Sequence, residues 1–233
     1  MSASASPAPS SERVTEWEPH DQPTRPRGRV LIVVSFGAVI VGLLAFAALS
    51  DGYSRWGALL LAVLSPAPVL TRRRFLLSKT VPAGSESHAR FTHLAQGLAR
   101  DLALPPPRLL VSKKAGANAF VVPGALAVTE DLLAAYTRTE LEAVVAHCLV
   151  RVRDGGLGWA VAASAVHGFG RVAPPVDRHV DARVAAVTRY PPALASAIKK
   201  ATPARGHDAP LWFVADSPSH APAAERAAEL LDL

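Results

Sequence analysis

Apolar and polar positions divide the chain into three stretches. Residues 1–28 are rich in Ser, Ala, Pro and charge, without apolar periodicity, the pattern of a disordered tail. From Val30 to Leu49 every residue is apolar or small and none is charged. At ~1.5 Å per residue a helix over this run covers about 30 Å, the thickness of a bilayer core, so the pattern predicts a transmembrane span. The polar turn Asp51–Arg55 leads into a second apolar run from Trp56 to Leu70, interrupted near its end by Pro66 and Pro68. Counted with Tyr53 and Trp56 as interfacial anchors, it reads as a second span over about 54–70; a re-entrant or interfacial segment is the alternative. The expected organisation is a tail (1–28), a transmembrane hairpin (29–74) and a folded domain (80–233).

Within the domain the period changes repeatedly. Ser85-Glu86-Ser87 opens a helix whose Phe91, Leu94, Leu98 and Leu102 share one face, and Pro105-Pro106-Pro107 ends it. Arg108–Ser112 reads as a strand, and Asn118–Val122 and Ala125–Val128 as two more around a Pro123-Gly124 turn. Thr129 caps a short helix to Tyr136. Thr139 and Glu142 have capping-box spacing and open a helix to about Arg153, stopped by Gly155-Gly156. Leu157–Phe169 is apolar and too short to span, a core or membrane-surface helix. Helices follow over Asp177–Thr188, Pro191–Lys200 and Pro222–Leu231, with Leu211–Val214 a short strand or buried turn between the last two. The fold class is mostly α with a small sheet, an α+β domain behind a membrane hairpin.

Composition fits a membrane-anchored chain: hydrophobic residues make up 50% and mean hydropathy is +0.21, an excess concentrated in the N-terminal runs. The net charge of +6 comes largely from Arg25/Arg27/Arg29 and Arg72/Arg73/Arg74, which flank those runs. That placement is a topology signal rather than a nucleic-acid footprint. It puts the tail and the domain in the cytoplasm and the 51–55 turn outside. A single cysteine, Cys148, excludes an intrachain disulfide and a Cys-rich zinc module.

On a wheel of the Glu140 helix, Leu141, Val144, Val145, Cys148, Leu149 and Val152 make an apolar arc, and Glu140, His147 and Arg151 a polar strip at its margin. Periodicity alone makes that strip the solvated edge of an amphipathic helix. The stretch N-A-F-V-V-P-G-A-L-A-V-T-E-D-L-L…T-R-T-E-L-E-A-V-V-A-H, with D-R-H-V-D-A-R-V-A-A-V-T-R-Y-P-P-A-L and S-H-A-P-A-A-E-R-A-A-E-L after it, resembles the HtpX-like membrane metallopeptidases, which include the CAAX prenyl proteases. The resemblance covers roughly residues 30–233 in the family's order. It implies a zinc site of the H-E-x-x-H type, a third ligand from the E-x-x-x-D segment, and an N-A-F strand (Asn118, Ala119, Phe120) at the edge of a groove that receives an extended peptide.

The metal motif itself departs from that pattern. His147 stands at the first ligand position, Cys148 at the general-base position, Arg151 at the second ligand position and Asp177 at the third, so H-E-x-x-H has become H-C-L-V-R. Arginine keeps its proton and cannot ligate a cation. A thiol is no substitute for a carboxylate that shuttles a proton, and it points about 100° around the helix from His147. Asp177 retains a charge on a shorter stem. The expectation is a catalytically inactive pseudo-peptidase with no cofactor, in which Arg151 replaces the metal and pairs with Asp177. The alternative is an active zinc endopeptidase with an atypical site. A shifted site of His147, Asp177 and His179 needs a non-helical segment, because residues 177 and 179 diverge by about 200° on a helix. Cys148, within the apolar arc, reads as a buried thiol. His88, His93, His167, His207 and His220 read as surface or core histidines, His220 at a family position with a structural role. The expected partners are the lipid bilayer and a peptide or membrane protein; a remnant without a role is a third possibility.

Overall fold

The computed structural model describes residues 26–49, 52–64, 67–155, 157–165, 177–217 and 220–233. Within them, the side chains of 26–36, 53, 62–64, 67–70, 159, 162, 163, 165, 177 and 178 lie outside the description. Helix α1 (Pro26–Leu49) packs on α2 (Tyr53–Leu64), burying Ala47 and Ala58 at their contact. Among the described residues no helix is long and apolar enough to cross a membrane. Part of the apolar run in α1 falls on side chains outside them. Over the 54–70 run the structure describes α2 as far as Leu64 and α3 (Ala67–Leu77) from Ala67 on; Ser65 and Pro66 between them lie outside the described residues. With 12 residues, α2 covers only about 18 Å.

The domain is built on a mixed sheet of β1 (Thr80–Pro82), β2 (Arg108–Ser112), β3 (Ala119–Val122) and β4 (Ala125–Thr129), in the order β1-β2-β4-β3. β2 runs parallel to β4 from Arg108↔Ala125 to Ser112↔Thr129; the β1–β2 and β3–β4 pairs are antiparallel. The β3–β4 hairpin turns at Pro123-Gly124, where Gly124 takes φ +75°, open to glycine at no steric cost. Side chains alternate between two buried faces. Ala119, Val121, Leu126 and Val128 enter the main core with α4 (Ala89–Asp101), α6 (Arg138–Arg153), α8 (Asp177–Thr188), α9 (Pro191–Lys200) and α10 (Ala223–Leu231). Phe120, Val122, Ala125 and Ala127 face a second cluster with Val161 of α7 (Leu157–Ala165), Leu211 and Trp212, against which Leu76 and Leu77 of α3 pack. Helix α5 (Glu130–Ala135) is capped by Thr129, whose hydroxyl accepts from the Leu132 amide at 3.2 Å.

Helix α6 is the hub. From Glu140 to Arg151 every side chain but Glu142 is buried, because α4, α8, α9 and β3 all pack on it. Its capping box is Thr137 with Glu140, two residues ahead of the Thr139–Glu142 register expected from sequence. Both registers fit the pattern. Glu140 decides between them: Ser196 Oγ and Lys200 Nζ on α9 donate to its carboxylate at 2.5 and 2.9 Å, holding it inward. Burial opposes its charge, but the Lys200, Ser196 and Thr137 hydrogen bonds outweigh that and bring its pKa down to about 2.

Candidate functional site

His147, Arg151, Asp181, Arg226 and His220 meet below the β3 edge. His147 is fully buried and Arg151 is 3% exposed, so the polar strip of α6 is no solvated edge. α6 supplies His147 and Arg151 one turn apart. Asp181 comes from α8 and Arg226 from α10, also buried. Arg226 grips both carboxylate oxygens of Asp181, Nε to Oδ2 at 2.7 Å and Nη2 to Oδ1 at 2.8 Å, and its Nη1 donates to the Phe213 carbonyl at 3.0 Å. This bidentate geometry is the strongest form of the Arg–carboxylate pair. Arg226 Nη2 also lies 3.3 Å from His147 Nε2. A guanidinium only donates, so Nε2 accepts and the imidazole proton is assigned to Nδ1, which has no hydrogen-bond partner among the described residues. Asp181 Oδ1 is 3.4 Å from the same Nε2, and the ring meets Phe213 edge-on at 4.9 Å between centroids.

Arg151 turns toward backbone. It donates to the carbonyls of Pro210, Leu211 (3.4 Å) and Trp212 (3.0 Å). The expected Arg151–Asp177 pair involves a side chain at 177 that lies outside the described residues; α8 does begin at Asp177. His220, read from sequence as structural, completes the cluster, with Nε2 3.2 Å from the Trp212 carbonyl and Nδ1 3.1 Å from Ser217 Oγ. Burial drives the His147 pKa well below the usual histidine range, and the charges of Arg226 and Arg151 push it further. The same causes, burial first, bring His220 to about 3. Both rings are therefore neutral. Cys148 is fully buried and burial pushes its thiol up to about 12, which leaves it no nucleophile. His179 is exposed while His147 is fully buried, and α8 is helical from Asp177, so the non-helical segment that the shifted His147–Asp177–His179 site requires is not present there.

The groove residues are also buried. Asn118 is 2% exposed; its Nδ2 donates to the Thr202 and Val214 carbonyls, each at 2.7 Å. The Ala119 carbonyl accepts from the Phe213 amide at 2.8 Å, and Phe120 forms an antiparallel bridge with Trp212. A peptide pairing with Ala119 therefore has to displace residues 212–214. Asp181 and Arg226 were not singled out from sequence. They stand in the two later segments of the family resemblance, which was the signal available.

Residues 85–150 match the model of peptidase family M48. The M48 match covers less than a third of the chain and takes in α4, the whole β2–β4–β3 core and α6 through Val150, stopping just before Arg151. Neither the curated proteins nor the solved structures contain a match to the chain. The match supports a metallopeptidase-like domain and brings zinc into question. The residues present do not fit that ion. The Arg226 guanidinium stands against His147 Nε2, both Asp181 oxygens are taken by it, and the neighbour one turn on is Arg151. Among the described residues no group of three or more His, Cys, Asp or Glu is placed to hold a metal.

Proposed function

We propose that the chain is a membrane-anchored, M48-like pseudo-peptidase that acts by binding rather than hydrolysis. The observation that carries this is the guanidinium of Arg226 against the one imidazole left from the metal motif. Hydrolysis through zinc needs ligands that lose or lack protons and a nearby carboxylate base. His147 faces a permanent cation, Arg151 is a second, and the base position holds a buried thiol. Membrane anchoring is supported by the uncharged run Val30–Leu49 between arginine clusters and by Val41, Leu44, Phe46, Trp56, Leu60 and Leu61, all exposed on α1 and α2. The arginines favour a cytoplasmic domain. A peptide or a membrane protein is the partner that this ancestry suits.

The test is zinc per chain in full-length protein purified in detergent without chelator, with casein hydrolysis before and after a chelator. We expect zinc far below one equivalent and no hydrolysis; stoichiometric zinc with chelator-sensitive cleavage selects the active endopeptidase instead. Motif restoration by Cys148→Glu with Arg151→His is expected to yield no zinc-dependent hydrolysis. The new carboxylate would enter a fully buried position, and Arg226 would still face His147.

A further inference from the structure

Helix α3 has two faces. Arg73, Leu76 and Leu77, spaced i, i+3 and i+4, lie on the sheet side: the leucines pack on the second apolar cluster, and Arg73 Nε donates to the Pro123 carbonyl at 3.1 Å. The other side carries Arg74, Phe75 and Ser78, with Lys79 directly after, and all four are exposed. Phe75 is 60% exposed, and the Arg72 guanidinium lies over its ring, 5.4 Å from the centroid. Arg72 is held there by Ser164 Oγ at 3.3 Å. Arg108 is exposed on the same sheet face as Leu110, the face that α3 covers. These cations lack counter-charges. From Gly52 to Ser85 the sequence has Arg55, Arg72, Arg73, Arg74 and Lys79 and no Asp or Glu. Among the described residues, none of Arg72, Arg73, Arg74 and Lys79 pairs with a carboxylate, and the Arg74 and Lys79 side chains make no hydrogen bond. Elsewhere in the domain exposed cations do find carboxylates, as in Lys200–Glu140 and Arg205–Asp216.

We propose that Arg72, Arg74, Phe75 and Lys79 form a docking face for an anionic phospholipid surface. The cations meet headgroup phosphates and Phe75 enters the boundary between headgroups and acyl chains. The charge of the face calls for a polyanion, and its exposed ring calls for one with an apolar layer beneath. A nucleic acid meets the first demand, but one face of the Phe75 ring is already covered by Arg72, which suits insertion between lipids better than stacking on a base. The face also follows in sequence on α2, where Trp56, Leu60 and Leu61 are exposed. The proposal rests on the membrane reading above and names the lipid class, but it does not require α1 or α2 to span. Because Leu76 and Leu77 belong to the domain's packing, the face brings the domain itself to the bilayer, and not only the N-terminal helices.

The test places a probe at position 75 in the whole chain. Phe75→Cys carries an aromatic, environment-sensitive fluorophore through a maleimide; Cys148 is buried and stays unlabelled. The protein is reconstituted into phosphatidylcholine vesicles with or without about one-third phosphatidylglycerol, each doped with a lipid spin-labelled near its headgroup. Quenching of the probe should be at least about threefold greater with phosphatidylglycerol, and should fall back to the phosphatidylcholine level at about 1 M salt. Adding Arg74→Gln and Lys79→Gln, which removes two charges that no bond in the fold uses, should have the same effect. Equal quenching in the two vesicles overturns the proposal, and so does quenching that neither salt nor the two glutamines reduce; the salt arm needs no further substitution. Shielding of the probe from aqueous iodide by added RNA, without lipid quenching, assigns the face to nucleic acid and overturns it too. Flotation on a sucrose gradient reports anchoring separately. A chain that floats with both vesicles and shows no phosphatidylglycerol-dependent quenching defeats this face alone, whereas one that floats with neither defeats the membrane reading with it. Neither readout depends on zinc, so the pseudo-peptidase reading stands or falls apart from both.

Discussion

Replacing Arg226 by Met removes the cation at the centre of the buried cluster and keeps most of its stem. The side chain is 1% exposed and its partner Asp181 6%. The change deletes two short hydrogen bonds to Asp181, one to the Phe213 carbonyl, and the guanidinium 5.7 Å above the Phe213 ring. The Asp181 carboxylate then keeps its burial without its bidentate partner, a situation that costs about 3–5 kcal/mol. That is a large part of the ~5–15 kcal/mol that holds a domain folded. Removing both charges, as Asp181→Leu with Arg226→Met, eliminates the stranded ion, so the double variant should lose at least ~2 kcal/mol less than the sum of the two single losses. Denaturant unfolding followed by circular dichroism and tryptophan fluorescence measures all four proteins. An Arg226→Met loss under about 1 kcal/mol, or strictly additive singles, refutes the argument that this pair is buried and coupled.

Three further outcomes follow from named groups. His147 and His220 are neutral when folded and titrate near 6.5 when unfolded, so the unfolded chain gains protons first. Stability is full above about pH 6.5 and falls below it by up to about 1.4 kcal/mol per pH unit for each ring, down to about pH 3 for His220; Glu140, with its pKa down at about 2, adds a loss between its ordinary 4.5 and 2. A flat unfolding midpoint between pH 6.5 and 4.5 would sink this. Cys148, with its thiol pushed up to about 12, should react with maleimide near neutral pH only after denaturant is added; labelling of the folded chain at free-thiol rates contradicts its placement. Thr137→Ala should cost about 1 kcal/mol through loss of the α6 cap, and Thr139→Ala stay within ~0.5 kcal/mol; the reverse order in melting experiments restores the other register.

Local signals were legible where chain punctuation and packing agree. Arg108–Ser112 and Pro191–Lys200 have the same bounds in pattern and backbone, because Pro107 and Pro191 mark their starts and their apolar residues enter the core. The β3–β4 hairpin follows from Pro123-Gly124 in the same way. Long-range electrostatics was not legible. Nothing local pairs Asp181 with Arg226 or sends the Arg151 guanidinium to the 210–212 carbonyls, since these contacts join residues 45 and about 60 positions apart. The helical spacing of His147 and Arg151 was readable, yet whether that strip faced water or the core depended on α8, α10 and the 210–214 segment covering it. The capping register likewise turned on Ser196 and Lys200, far along the chain from Thr137.

Helix α3 carries a mechanical consequence. Arg72 Nε reaches Ser164 Oγ on α7 at 3.3 Å, Arg73 Nε reaches the Pro123 carbonyl in the hairpin turn at 3.1 Å, and Leu76 and Leu77 pack beneath. Two of the arginines that flank the apolar runs thus bolt α3 to α7 and to the β3–β4 turn. The last helix before the sheet is therefore part of the domain's own packing rather than a free strap. A pull on the chain N-terminal to α3 would reach the sheet through these two arginines and the Leu76–Leu77 contact, and cutting the bolts would leave the two leucines alone to carry it.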